Sequence, residues 1–69
     1  MLTVAPLKDR LREERRKAAL TQGELAEKAG VGITTIVRIE RGDIEEPRVS
    51  TLRKLAEALE IRPRDLLED

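Results

Sequence analysis

Five residues between Ile33 and Arg41 could read a polar surface together: Ile33, Thr34, Val37, Arg38 and Arg41. At about 100° per residue they fall on one side of a helix, with Ile36, Ile39 and Glu40 on the other. A guanidinium such as that of Arg38 can pair with the two acceptor atoms on a guanine edge or with a phosphate, and the spacing alone leaves both open. Arg41 is better suited to phosphate. Thr34 can donate or accept a hydrogen bond and also offers a methyl group. Ile33 and Val37 are either core residues or exposed apolar contacts for thymine methyls, and the helical angle, pointing away from Ile36 and Ile39, favours exposure. These side chains suit recognition by hydrogen bonds and apolar contacts, not bond-making chemistry.

A face of this kind works only on a braced helix, and the flanking residues supply the brace. Thr21 followed by Glu24 fits a capping box opening a helix over residues 21–29. Leu25, Ala26 and Ala29 form its buried side, Gly30 fits a left-handed terminal cap, and Val31 plugs the turn. A helix start also attracts anions, so Thr21 could serve phosphate as well as the cap. The segment 33–41 carries a local conflict. Ile33, Thr34, Thr35, Ile36 and Val37 are five β-branched residues in a row, which favours a strand. Their apolar pattern is helical, and Gly42 fits as the end of a helix. The pattern predicts a helix over Ile33–Arg41.

Around this pair the chain predicts three more helices. The first spans 7–19, with Leu7, Leu11 and Ala18 on one stripe and dense charge elsewhere. Residues 42–48, GDIEEPR, read as a loop. A fourth helix spans 49–59 with Val49, Leu52, Leu55, Ala56 and Leu59 on one face, starting either at a Ser50 cap or uncapped at Arg48. A short fifth runs from Pro63 to Leu67, with Pro at the favoured first position. Residues 1–6 are a short apolar arm, either flexible or packing Leu2 and Val4 on a neighbour. The fold class is all-α, a compact bundle of five helices forming a single domain over residues 1–69, with no repeat and no linker.

Composition narrows the function. The chain has 69 residues, no His and no Cys. That removes the commonest general base, disulfides and the usual metal ligands. No catalytic residue, metal ligand, cofactor or small-molecule ligand is expected, and the chain is not read as an enzyme. No apolar run approaches the roughly 20 residues of a membrane span, and the N-terminus lacks a signal-peptide pattern, so cytoplasmic, nucleoid-associated residence is expected. The core must be built without aromatic residues. Arg outnumbers Lys ten to four and Asn is absent, a balance compatible with a thermophile or with a GC-rich genome. Net charge is zero, with 14 basic and 14 acidic residues, so bulk charge does not drive nucleic-acid binding. The distribution is uneven: six basic and three acidic residues fall between Leu7 and Leu20, and three acids crowd Asp43–Glu46.

The stretch TQGELAEKAGVGITTIVRIERG, then Pro47, TLRKLAEAL and DLL, resembles the Cro/C1-type (XRE-like) helix-turn-helix family. The marks are Gln22, Leu25-Ala26, Gly30-Val31, Ile36, Ile39-Glu40, Gly42 and Thr51-Leu52 through Leu59. They are spread over four helices, which makes the match specific. Ala26 must be small where the next helix crosses, and Gly30 must adopt a conformation costly for other residues. The resemblance implies a lambda-repressor-like domain whose helix-turn-helix unit spans about 21–41 and whose second helix enters the major groove.

By the same resemblance, Gln22 either touches phosphate or braces the reading helix, and Arg15 pairs with Glu40 in a structural role. Thr35 and Arg48 join Thr21, Gln22, Ile33, Thr34, Val37, Arg38 and Arg41 as implied contacts to double-stranded DNA. Gly23 stands where the family usually carries a side chain, and either admits a phosphate closely or is neutral. The acidic run Asp43, Glu45 and Glu46 occupies a loop that the family commonly makes basic, which weakens non-specific affinity. The implied function is a sequence-specific transcriptional repressor reading an inverted repeat as a homodimer; Ile61, Leu66 and Leu67, with or without the N-terminal arm, either form the expected dimer contacts or only close the core. The alternative is an antitoxin or adaptor whose acidic loop, residues 43–46, holds a protein partner.

Overall fold

A computed structural model describes residues 6–67. Five helices occupy them: α1 Leu7–Lys17, α2 Gln22–Ala29, α3 Ile33–Arg41, α4 Val49–Ala58 and α5 Arg64–Leu67. α3 is the centre of the packing, with α1 and α2 against it; α2 also packs on α4, and α5 closes the bundle against α1 and α4.

The β-branched run at 33–37 is helical. Ile36 and Ile39 are fully buried, and the apolar surface they remove from water outweighs the fraction of a kcal/mol that each β-branched residue costs in a helix. Leu11, Leu25, Leu55 and Leu66 complete the set of large, fully buried side chains. Leu66 is therefore a core residue. Its expected role at a dimer surface is corrected by this burial: the side chain that closes α5 onto the bundle has no area left to offer a second copy.

Two other expected core positions face water. Ala18 is exposed, because α1 stops at Lys17 and the chain turns before the stripe can continue. Val49 is 62% exposed, because it opens α4 one turn before the buried line of Leu52, Leu55, Ala56 and Leu59 begins.

Helices α1 to α4 all end in the same left-handed turn, in which an amide bonds a carbonyl five residues back: Leu20 to Arg15, Val31 to Ala26, Asp43 to Arg38 and Ile61 to Ala56, at 2.9–3.1 Å. The left-handed residue is Gly30 in the second turn and Gly42 in the third, but Ala19 (φ 58°) in the first and Glu60 (φ 57°) in the fourth. Leu20, Val31, Ile44 and Ile61 follow these turns and fold back onto the core, repaying the roughly 1–2 kcal/mol of left-handed strain at the two non-glycine sites. Arg48 stands at the N-cap of α4 without a side-chain cap bond, and Ser50 lies inside the helix. α5 begins after Pro63, with the Arg62 amide donating to Asp65 Oδ2 at 2.9 Å.

Candidate nucleic-acid interface

The geometry of α3 is set at its inner face by one buried anion. Glu40 is 2% exposed. Its carboxylate accepts from Arg15 Nε at 2.7 Å and Nη2 at 2.9 Å, a two-point pair between α1 and α3. Arg15 also donates to the Leu20 carbonyl at 2.9 Å, which ties the pair to the turn before α2. The hydrogen bond to Glu40 raises the Arg15 pKa above its ordinary value against the opposing effect of burial, so the cation is secure. Gln22 Nε2 donates to the same carboxylate at 3.2 Å, bringing in the head of α2. Of its two implied roles, Gln22 therefore has bracing geometry.

Arg12 adds a contact that the sequence did not signal. It donates from Nη2 to the Glu40 carbonyl at 2.8 Å, with its Nε 3.9 Å from the carboxylate. The one available hint is that Arg12 lies three residues before Arg15, on the same side of α1. Arg10 was also missed; its guanidinium reaches the Asp65 carbonyl, with Nε at 3.1 Å, and pins α5 to α1. Nothing local marks a partner 55 residues away.

With Glu40 clamped inside, the opposite side of α3 is held outward. Thr34, Arg38 and Arg41 are exposed, Ile33 is 50% exposed, and Val37 is half-buried. Arg38 makes no ion pair among the described residues, leaving its guanidinium available. Arg41 lies 3.6 Å from Asp43, an exposed pair worth at most about 1 kcal/mol. Thr35 is half-buried beside this face. It lines a shallow cleft with Arg48, Thr51, Pro47, Glu46 and Ile44, between α3 and the start of α4.

The head of α2 sits beside the start of α3. Thr21 caps α2, accepting from the Glu24 amide at 3.0 Å while the Thr21 amide donates to Glu24 Oε1 at 2.9 Å. That backbone bond, with the hydroxyl's help, holds the Glu24 carboxyl below its usual range. A Cβ at Gly23 would meet Ile33 Cδ1 at an ordinary 3.7 Å, so a side chain there is not excluded by space. Thr21 and Ile33 thus lie beside each other around Gly23, and Thr35 lies with Arg48 in the cleft. Glu46 of the acidic loop lines the same cleft. Among the expected dimer contacts, Ile61 is half-buried and Leu67 is 51% exposed.

Among the described residues, no group of three or more His, Cys, Asp or Glu side chains could hold a metal ion, and no helix is long and apolar enough to cross a membrane. The arrangement is an exposed helix edge carrying cations, hydroxyls and methyl groups, chemistry that suits a nucleic-acid groove.

Comparison with known proteins points the same way. A helix-turn-helix family model matches residues 11–66. The uncharacterised HTH-type transcriptional regulator RghRB of Bacillus subtilis is 36% identical over 64 residues, 93% of this chain and 46% of that protein. The HTH-type transcriptional repressor RghR of the same organism is 49% identical over 51 residues, 74% of this chain and 36% of that protein. The chain thus spans less than half the length of these two relatives. Among solved structures, SinR, the B. subtilis regulator of biofilm formation, bound to DNA, superposes with a TM-score of 0.87 at 31% identity, over 90% of this chain and 98% of that one.

Proposed function

Because the chain belongs to the helix-turn-helix family, we propose that it is a transcriptional repressor that reads double-stranded DNA with α3 and acts as a homodimer in the cytoplasm. The carrying observation is the exposed α3 edge, with Arg38 available, on a helix whose inner face is locked by Glu40 to α1 and α2. In this reading α3 lies in the major groove and α2 crosses the backbone. Thr34 and Arg38 contact base edges, with Ile33 and Val37 against thymine methyls. Thr21, Arg41 and Arg48 contact phosphates, with Thr35 beside Arg48. Gln22 acts through Glu40 and orients the reading helix. The repressor named RghR and the DNA-bound SinR structure support the reading.

One such unit covers a half-site, so a dimer reading an inverted repeat with half-sites about one helical turn apart is the expected form. Selection from a random duplex library tests this directly. An inverted repeat should emerge, bound with a salt slope set by a few phosphate contacts per protomer. Recovery of no consensus, with binding that vanishes at physiological salt, would reject the reading.

A further inference from the structure

Neither backbone conformation nor space within the chain calls for the glycine at position 23. It is the second residue of α2 and is exposed. The left-handed glycines are Gly30 and Gly42, so the backbone at Gly23 is available to residues with side chains. A Cβ there would meet Ile33 Cδ1 at 3.7 Å and Thr21 Oγ1 at 4.0 Å, both ordinary contacts. Alanine would therefore fit beside the Thr21–Glu24 capping box. It would also favour the helix, since glycine gives up more chain freedom on folding. In a helix of eight residues few others are left to offset that cost.

What the missing side chain leaves open is the start of α3. Ile33 is the first residue of α3 and is 50% exposed. Its δ-methyl is the atom nearest to the place a Cβ at position 23 would take. A Cβ would cover part of that methyl and bar the rotamers that swing it toward α2. A longer apolar side chain would cover more of it. With glycine the methyl stays bare. The Ile33 side chain has no hydrogen-bonding group, so the partner it suits on a base edge is the methyl group of thymine.

We propose that Gly23 is a specificity-determining residue, which acts through Ile33 by leaving its δ-methyl uncovered to pack on a thymine methyl. The inference deepens the proposed function and rests on its placement of α3 in the major groove. It puts one determinant of sequence preference outside α3, on the helix that crosses the backbone. Gly23 itself touches no base; it is a positioning residue for Ile33.

Selection from a random duplex library, followed by binding titrations, tests this on the unaltered chain, Ile33→Ala, Gly23→Ala and Gly23→Leu. The base position at which Ile33→Ala relaxes preference identifies the Ile33 contact. The unaltered chain should prefer thymine there. Deoxyuridine in place of that thymine removes only the methyl and should weaken its binding about fourfold, the worth of one buried methyl group. Gly23→Leu should lose most of this difference at that position alone, with Gly23→Ala in between. Both variants should melt at or above the temperature of the unaltered chain. Should Gly23→Leu fail to fold, Gly23→Ala decides. No thymine preference at that position, a folded Gly23 variant as sensitive to the methyl as the unaltered chain, or a loss equal on every sequence would each overturn the proposal and leave DNA reading standing. The last of these would make Gly23 a point of close phosphate approach. An unaltered chain that selects no sequence overturns both.

Discussion

Replacing Arg15 with Ala should cost more than any other single exposed or half-exposed substitution in this protein. The change removes both short bonds to Glu40, at 2.7 and 2.9 Å, and the bond to the Leu20 carbonyl. It leaves a carboxylate 2% exposed with one Gln22 bond at 3.2 Å and an Arg12 guanidinium 3.9 Å away. Breaking one side of a buried pair costs about 3–5 kcal/mol. Arg12 is 39% exposed and can close in, which places the expected loss near the lower end, about 3 kcal/mol. A domain of this size holds roughly 3–10 kcal/mol in total. At about 4–8 °C per kcal/mol, Tm should fall by roughly 12–24 °C, read by far-ultraviolet circular dichroism at neutral pH. The double change Arg15→Met with Glu40→Met leaves no charge buried and should melt closer to the unaltered protein than Arg15→Ala does. An Arg15→Ala variant melting within a few degrees of the parent would refute the claim that Glu40 needs this partner.

Four further outcomes follow from particular sites. Gly30→Ala should lower stability by about 1 kcal/mol in urea titration; φ is +71° and no atom lies within 4 Å of the added Cβ, so backbone strain is the whole cost, and a D-alanine there should be tolerated. Glu24 has its pKa lowered in the folded state, so its contribution is present at neutral pH and fades as pH falls through its folded value; the Tm gap between the parent and Glu24→Gln should close under acid conditions, and a gap independent of pH would contradict this. Arg38→Ala should weaken binding to the selected site by about 1–3 kcal/mol and relax preference at one base position, whereas equal loss on every sequence would make Arg38 a phosphate contact. Glu45→Lys with Glu46→Lys should tighten binding to arbitrary duplexes and steepen the salt dependence, measured by fluorescence anisotropy at several salt concentrations.

The sequence by itself determined the local events. Thr21 and Glu24 specify a capping box because both reciprocal bonds form within four consecutive residues. Gly30 and Gly42 mark left-handed turns because a glycine relieves the steric cost there. The span of α3 was legible because its helical period outvoted five β-branched residues. Only the tertiary structure decided the rest. Ala19 and Glu60 adopt the same left-handed turn with no residue type to announce it, held by Leu20 and Ile61 folding onto a core built from distant helices. Leu66 passes from candidate interface to core because α5 closes on α1 and α4. Gln22 and Arg12 converge on Glu40 from α2 and α1, an arrangement that no neighbouring residues encode. Helix periodicity fixes which residues share a face; the crossing of one helix over another fixes which face is buried, and that depends on contacts between residues far apart in the chain.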